Sequence, residues 1–201
     1  MTLKKSLFNI LFVIILTFAS TKFSYALEPT DFVQSTIDKA SEILSSDNSK
    51  DKKVAELRNI AKNTVDIRGI GFYSLGSHRK SLDSDQKKEY LKIFEQYFLK
   101  SFSSRLAEYS DPKIRVDSQE KLNEKYTMVS STLIATDDKP EVKVDWRVVT
   151  KDPNNPLIID LIIEGVSLAK VQKEEFNSII QNNDGDINSL FNNLKKFVEK
   201  E

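Results

Sequence analysis

The sequence predicts an α+β domain, with a four-stranded antiparallel twisted sheet packed against N-terminal and C-terminal helices. Three observations predict it. Apolar residues recur at helical spacing through the first half of the chain, alternate with polar ones from about residue 114 to 164, and then return to helical spacing. The alternating segments follow one another closely and are joined by short turns, which favours a meander. No strand–helix–strand alternation occurs, so a parallel sheet is not indicated.

The segment before this domain reads as an address. Lys4 and Lys5 precede an apolar run from Leu7 to Ala19, broken only by Asn9 and Thr17, and Ser24-Tyr25-Ala26 presents small residues at a cleavage site. The run is short of the ~20 residues that a membrane span needs. We therefore expect residues 1–26 to be a secretory signal peptide cleaved near Ala26, and 27–201 to be one exported domain. Removing 26 of the 201 residues leaves 175, enough for one sizeable core. The leader holds Lys4, Lys5 and Lys22 and no acids, so 27 of the 30 basic residues remain against all 30 acidic ones. A slightly acidic chain is not a nucleic-acid binder.

Within the domain, Asp31 with Gln34 suits a helix start, and Val33, Ile37, Ala40 and Leu44 recur behind it. Ser45 to Lys53 is a polar break. Val54, Leu57, Ile60, Ala61 and Val65 mark a second helix. The segment from Gly69 through Gly71 to Gly76 reads as glycine-punctuated. The longest helix is predicted from about Ser84 to Tyr109, with Tyr90, Leu91, Phe94, Tyr97, Phe98, Phe102 and Leu106 on one aromatic-rich stripe.

After Asp111-Pro112, Ile114 and Val116 open a short strand, and Tyr126 to Ala135 forms a second. Val142, Val144, Trp146 and Val148 alternate with Lys143, Asp145 and Arg147 in a third. Asp152 to Pro156 is a turn. Leu157, Ile159, Leu161 and Ile163 then point one way, and Asp160 and Glu164 the other. Val171, Phe176, Ile179 and Ile180 mark a helix that stops near Asn183-Asp184-Gly185. Ile187, Leu190, Phe191, Leu194 and Val198 mark the last one.

Chemistry-bearing motifs are scarce. Cysteine is absent and His78 is the single histidine, which excludes thiol catalysis and histidine- or cysteine-based metal sites. Gly71-Phe72-Tyr73-Ser74-Leu75-Gly76 places its serine one position too late for a nucleophile elbow, and Gly165-Val166-Ser167 lacks the closing glycine. His78 lies in a polar stretch and reads as a solvated side chain. Asp83, Asp85, Asp137 and Asp138 read as cap or loop residues, and Asp184-Gly185-Asp186 lacks the later ligands of a calcium loop. No catalytic residue, metal or cofactor is expected. Alternation leaves open whether the apolar sheet face and the Phe-rich helix close tightly or part around a ligand.

The run Asp160-Leu161-Ile162-Ile163-Glu164-Gly165-Val166-Ser167-Leu168, with Phe176 following in the next helix, resembles the signature of the MlaC (toluene-tolerance) family. Leu75-Gly76, Gln86, Gly185, Ile187 and Leu190 stand in register with further family positions. His78-Arg79 and Val171-Gln172-Lys173 stand where the family usually carries an aromatic with tryptophan and asparagine-tyrosine-arginine.

The resemblance implies a soluble periplasmic carrier that holds phospholipid tails in an apolar cavity between sheet and helices. It also implies partners: an outer-membrane lipoprotein complex and an inner-membrane ABC transporter with an MCE component. Helix periodicity and strand alternation then nominate Phe98, Phe102, Val144, Trp146, Leu161, Ile163, Val166 and Phe176 as the lipid-binding lining. Two other readings stand beside it. One is an enzyme on an apolar substrate, for which Asp145 and Asp160 are the strand carboxylates, both placed by alternation on the face away from the core. The other is a ligand-free periplasmic adaptor with a filled core.

Overall fold

Pro29 opens the first helix, α1 (Pro29–Ser45), in the turn where a missing N–H costs nothing. The structure, a computed structural model, describes residues 27–136 and 140–200, so the expected signal peptide and the loop carboxylates Asp137 and Asp138 lie outside the described residues. Phe32, Val33 and Ile37 form the buried side of α1. Ser49 caps α2 (Lys50–Thr64), which buries Leu57 and Ala61. Val65 then bridges to Ile158 in the sheet, and the Asp66 N–H donates to the Ile158 carbonyl at 2.9 Å.

Asp66 next accepts the Gly69 N–H at 2.8 Å and so starts α3 (Ile67–Ser74). The glycine-punctuated segment is thus helical. Glycine in a helix costs about 1 kcal/mol against alanine, but Gly71 is there for fit. A Cβ on it would stand 2.8 Å from the Phe94 ring. After a 3₁₀ turn (Gly76–Lys80), Asp83 and Gln86 cap each other reciprocally and open the long helix α4 (Ser84–Leu106), which ends short of Tyr109.

Five strands pair antiparallel in chain order: β1 (Ile114–Asn123), β2 (Tyr126–Leu133), β3 (Val142–Val149), β4 (Leu157–Ile163) and the two-residue β5 (Val166–Ser167). The register puts Val129, Trp146 and Leu161 side by side, and likewise Ser131, Val144 and Ile163. Residues directly opposite share a face. A register shift beside Arg147 changes the start of β4, where Ile158 and not Ile159 pairs with buried Val148. The expected alternation therefore holds for Leu161 and Ile163 and slips by one residue upstream of Asp160.

Glu164 and Gly165 have positive φ (49° and 80°) at the centre of the β4–β5 turn, as a two-residue type I′ hairpin requires. Ser167 caps α5 (Leu168–Gln181). Asp184 and Gly185, again at positive φ (55° and 80°), break the chain before α6 (Ile187–Glu199).

The buried apolar residues fall into two clusters. One, built from α3, α4, α5 and α6, contains Tyr90, Phe94, Phe176, Ile180, Leu190 and Phe191. The other joins α1 to the sheet through Phe32, Val33, Ile37, Val129, Val148 and Ile158. Val65 packs against both.

Candidate functional site

The elements join these two cores in a closed circuit of contacts. The sheet packs on α1 through β1 and β2, α1 on α2, α2 on α4, and α4 on α3 and α6; α3 and α5 return to β4. The sheet's apolar face is sealed at one end and not at the other. Along β3, Val148 is buried, whereas Trp146, Val144 and Val142 are only half-buried. Their β4 partners Leu161 and Ile163 are also half-buried. Trp146 is anchored by its indole N–H, which donates to the Ser131 hydroxyl at 2.8 Å.

On α4, Phe98 and Phe102 continue the row of buried Phe94. Their rings stack with centroids 5.8 Å apart and planes 8° apart, and both side chains stay half-buried. Of the eight residues nominated for the lining, six are half-buried apolar groups; Phe98 packs against the helical core, and Trp146 and Leu161 against the sheet core. The other two lie elsewhere. Phe176 is 2% exposed, edge-on to Phe94 and against Tyr97, inside the helical core. Val166 pairs with Ile163 at the sheet's edge and is 53% exposed.

Asp160 corrects the reading that alternation gave. It does share a face with Arg147, but that face is not open there, and the residue is 4% exposed. Its carboxylate accepts from the Ser167 hydroxyl at 2.6 Å, from the Ala169 N–H at 2.9 Å and from Arg147 at 3.4 Å. The chain turns back through the I′ hairpin and lays the first turn of α5 against it. A carboxylate at a helix N-terminus is favoured by the exposed N–H groups there, so this one fastens the β4–α5 junction. Asp145 stays on the same face, paired to Lys143 at 3.3 Å.

Ser74 and His78 are committed separately. The Ser74 hydroxyl is buried and donates to the Ile70 carbonyl at 2.9 Å, while His78 Nε2 meets Asn177 Oδ1 at 3.1 Å.

A groove of about 680 Å³ lies between α4, α5 and α6. Its walls hold residues that sequence periodicity did not single out as functional: Arg105, Gln172 and Glu175. The Tyr97 hydroxyl donates to Gln172 at 3.0 Å, and the Gln172 amide donates to Glu175 at 3.1 Å. Burial raises the Tyr97 pKa; the Gln172 hydrogen bond lowers it, the Glu175 charge raises it and the Arg105 charge lowers it. The signal for Arg105 was its spacing, since Phe98, Ser101, Phe102 and Arg105 fall on one helical face.

This architecture has known counterparts. A family described as MlaC protein matches residues 34–196. The chain belongs to the MlaC family. One family relative, the intermembrane phospholipid transport system binding protein MlaC of Haemophilus influenzae, is 28% identical over 126 residues, which is 60% of this chain and 59% of that protein. The alignment therefore spans less than two thirds of the relative. A phospholipid-binding protein from Ralstonia solanacearum, solved in complex with a phospholipid, superposes with a TM-score of 0.71 at 16% identity. That match covers 85% of this chain and 97% of the other, and it establishes that the two share a fold.

Proposed function

We propose that this MlaC-family protein is a periplasmic phospholipid carrier that shuttles lipids between the outer and inner membranes and so maintains outer-membrane lipid asymmetry. The observation that carries the reading is two sets of half-buried apolar side chains, one on the sheet and one on α4. Trp146, Val144, Leu161 and Ile163 form the first and the stacked Phe98 and Phe102 the second. These large apolar side chains are only half-buried, where a finished core would cover them. Acyl chains would complete that cover.

The energetics suit the task. At ~0.8 kcal/mol per methylene, two long acyl chains in water cost on the order of 20 kcal/mol. A pocket as apolar as the bilayer removes that cost and leaves transfer near neutral, so direction must come from the partners. Those partners would be an outer-membrane lipoprotein complex and an inner-membrane MCE-containing ABC transporter. No catalytic role is assigned, because Ser74, His78 and Asp160 are each engaged in structural hydrogen bonds.

Lipid extraction and mass spectrometry on protein purified gently from the periplasm test the reading. Intact phospholipid in stoichiometric amount is expected. Protein that arrives lipid-free and refuses added phospholipid overturns it, and lysolipid or free fatty acid appearing on incubation would replace the carrier by a lipase.

A further inference from the structure

The groove between α4, α5 and α6 carries polar equipment that acyl chains do not need. Phe98, Ser101, Phe102 and Arg105 lie at i, i+3, i+4 and i+7 on α4, one continuous face. A chain lying against the stacked Phe98 and Phe102 rings is therefore led towards Ser101 and Arg105 at the groove. Facing them on α5 is Glu175, whose carboxylate is oriented by the relay from Tyr97 through Gln172. Arg105 and Glu175 both act on the same Tyr97 hydroxyl, with opposite effects on it. One cation on α4 and one anion on α5 therefore line the same groove. Among the described residues, Arg105 makes no hydrogen bond or ion pair that would use up its donors.

The geometry points to recognition of a zwitterionic phospholipid head group bearing a primary ammonium, with Arg105 taking the phosphate and Glu175 the ammonium. Guanidinium donors match phosphate oxygens, and a primary ammonium offers three N–H donors to a carboxylate. A glycerol head group offers Glu175 no cation, and it brings the same phosphate. This inference rests on the carrier reading and assigns its cargo. Glu174 also lines the groove, but its carboxylate lies 3.8 Å from Lys170 and is already paired.

The test loads delipidated full-length mature protein from vesicles that contain equal amounts of ethanolamine and glycerol phospholipids with identical acyl chains. Bound lipid is then counted by head group. The wild type is expected to enrich the ethanolamine lipid about threefold, the scale of a solvent-exposed ion pair. Glu175→Gln should return the ratio to that of the vesicles. Arg105→Gln should lower the load of both lipids together. Both side chains are exposed, so circular dichroism should show each variant folded as the wild type. A wild-type ratio equal to that of the vesicles, or a bias that survives Glu175→Gln, overturns the head-group assignment and leaves the carrier intact. If neither lipid loads, the carrier reading is overturned, and this inference falls with it.

Discussion

The Ser167 hydroxyl donates to the buried Asp160 carboxylate at 2.6 Å and accepts from the Lys170 N–H at 3.1 Å. One side chain thus ties the last long strand to the first turn of the next helix. Asp160→Ala would strand the Ser167 hydroxyl, the Ala169 N–H and part of Arg147 in a closed site. Buried polar groups left without partners are costly, so a loss of about 3 kcal/mol is expected in urea unfolding. Asp152→Ala, in an exposed turn, should stay within about 0.5 kcal/mol of wild type. Equal losses for the two variants would contradict the role given to Asp160.

Gly71→Ala adds a methyl group that must enter the Phe94 ring's space at 2.8 Å. Overpacking of this kind costs about 1–3 kcal/mol, against about 1 kcal/mol gained in helix propensity. A lower Tm is expected. A higher one would show that Phe94 moves aside freely.

Tyr90 is buried and donates to the Gly71 carbonyl at 2.9 Å, and burial, with the neighbouring Tyr97, pushes its pKa far above the usual tyrosine value. The folded state therefore resists ionisation while the unfolded chain ionises near pH 10. The stability this provides is intact below pH 10 and is lost as pH rises further, by up to about 1.4 kcal/mol per pH unit. Urea midpoints measured between pH 8 and 11 should fall in the wild type. They should fall less steeply in Tyr90→Phe, which itself starts about 1 kcal/mol lower for want of the hydrogen bond.

Trp146 is the single tryptophan, so its fluorescence reports on the proposed pocket without background. Phospholipids brominated along the acyl chain should quench it strongly, and bromine nearer the head group should quench it to a different extent. Emission indifferent to bromine at every position would remove Trp146 from the lining.

Leu161→Glu places a carboxylate on the half-buried face beside Trp146. An unpaired charge there disfavours an acyl chain far more than it disfavours the partly solvated fold. Retained lipid should drop by more than about tenfold in protein with a wild-type circular dichroism spectrum. Val166→Glu, on the exposed edge, should retain lipid normally. Unchanged lipid in Leu161→Glu would contradict the lining.

Much of this was readable from period alone. Trp146 and Val144 sit on one face because a strand repeats every second residue, and Leu161 and Ile163 follow them as register partners. The misses have local causes. Gly69 and Gly71 hid α3, because propensity argues against a helix whose justification is the distant Phe94. β1 is longer than the short strand expected because Asp117 to Asn123 carry no alternation and pair only with β2 at an exposed edge. Alternation gave Asp160 its face correctly and its burial wrongly, since only the hairpin and α5 folding back enclose it. The lateral groove was invisible because α4 and α5, which carry Arg105 and Glu175, are brought to one groove by tertiary packing and not by spacing along the chain.

The two-residue strand β5 also has a bearing on solubility. A sheet with one incompletely packed face is at risk of pairing edge to edge with its own copies, most of all when no cargo fills it. On the β4 side, Val65 bridges to Ile158 and the Asp66 N–H donates to the Ile158 carbonyl, while Ile162 and Ile163 are paired by Ser167 and Val166. On the β1 side, the register shifts beside Asp117 and Asn123, and the charged Glu120 and Lys121 stand along the free margin. The β4 edge is thereby largely occupied, and the β1 edge is guarded against strand addition by its charges and irregular register. For the proposed carrier, such guarded edges would keep copies without cargo from polymerising.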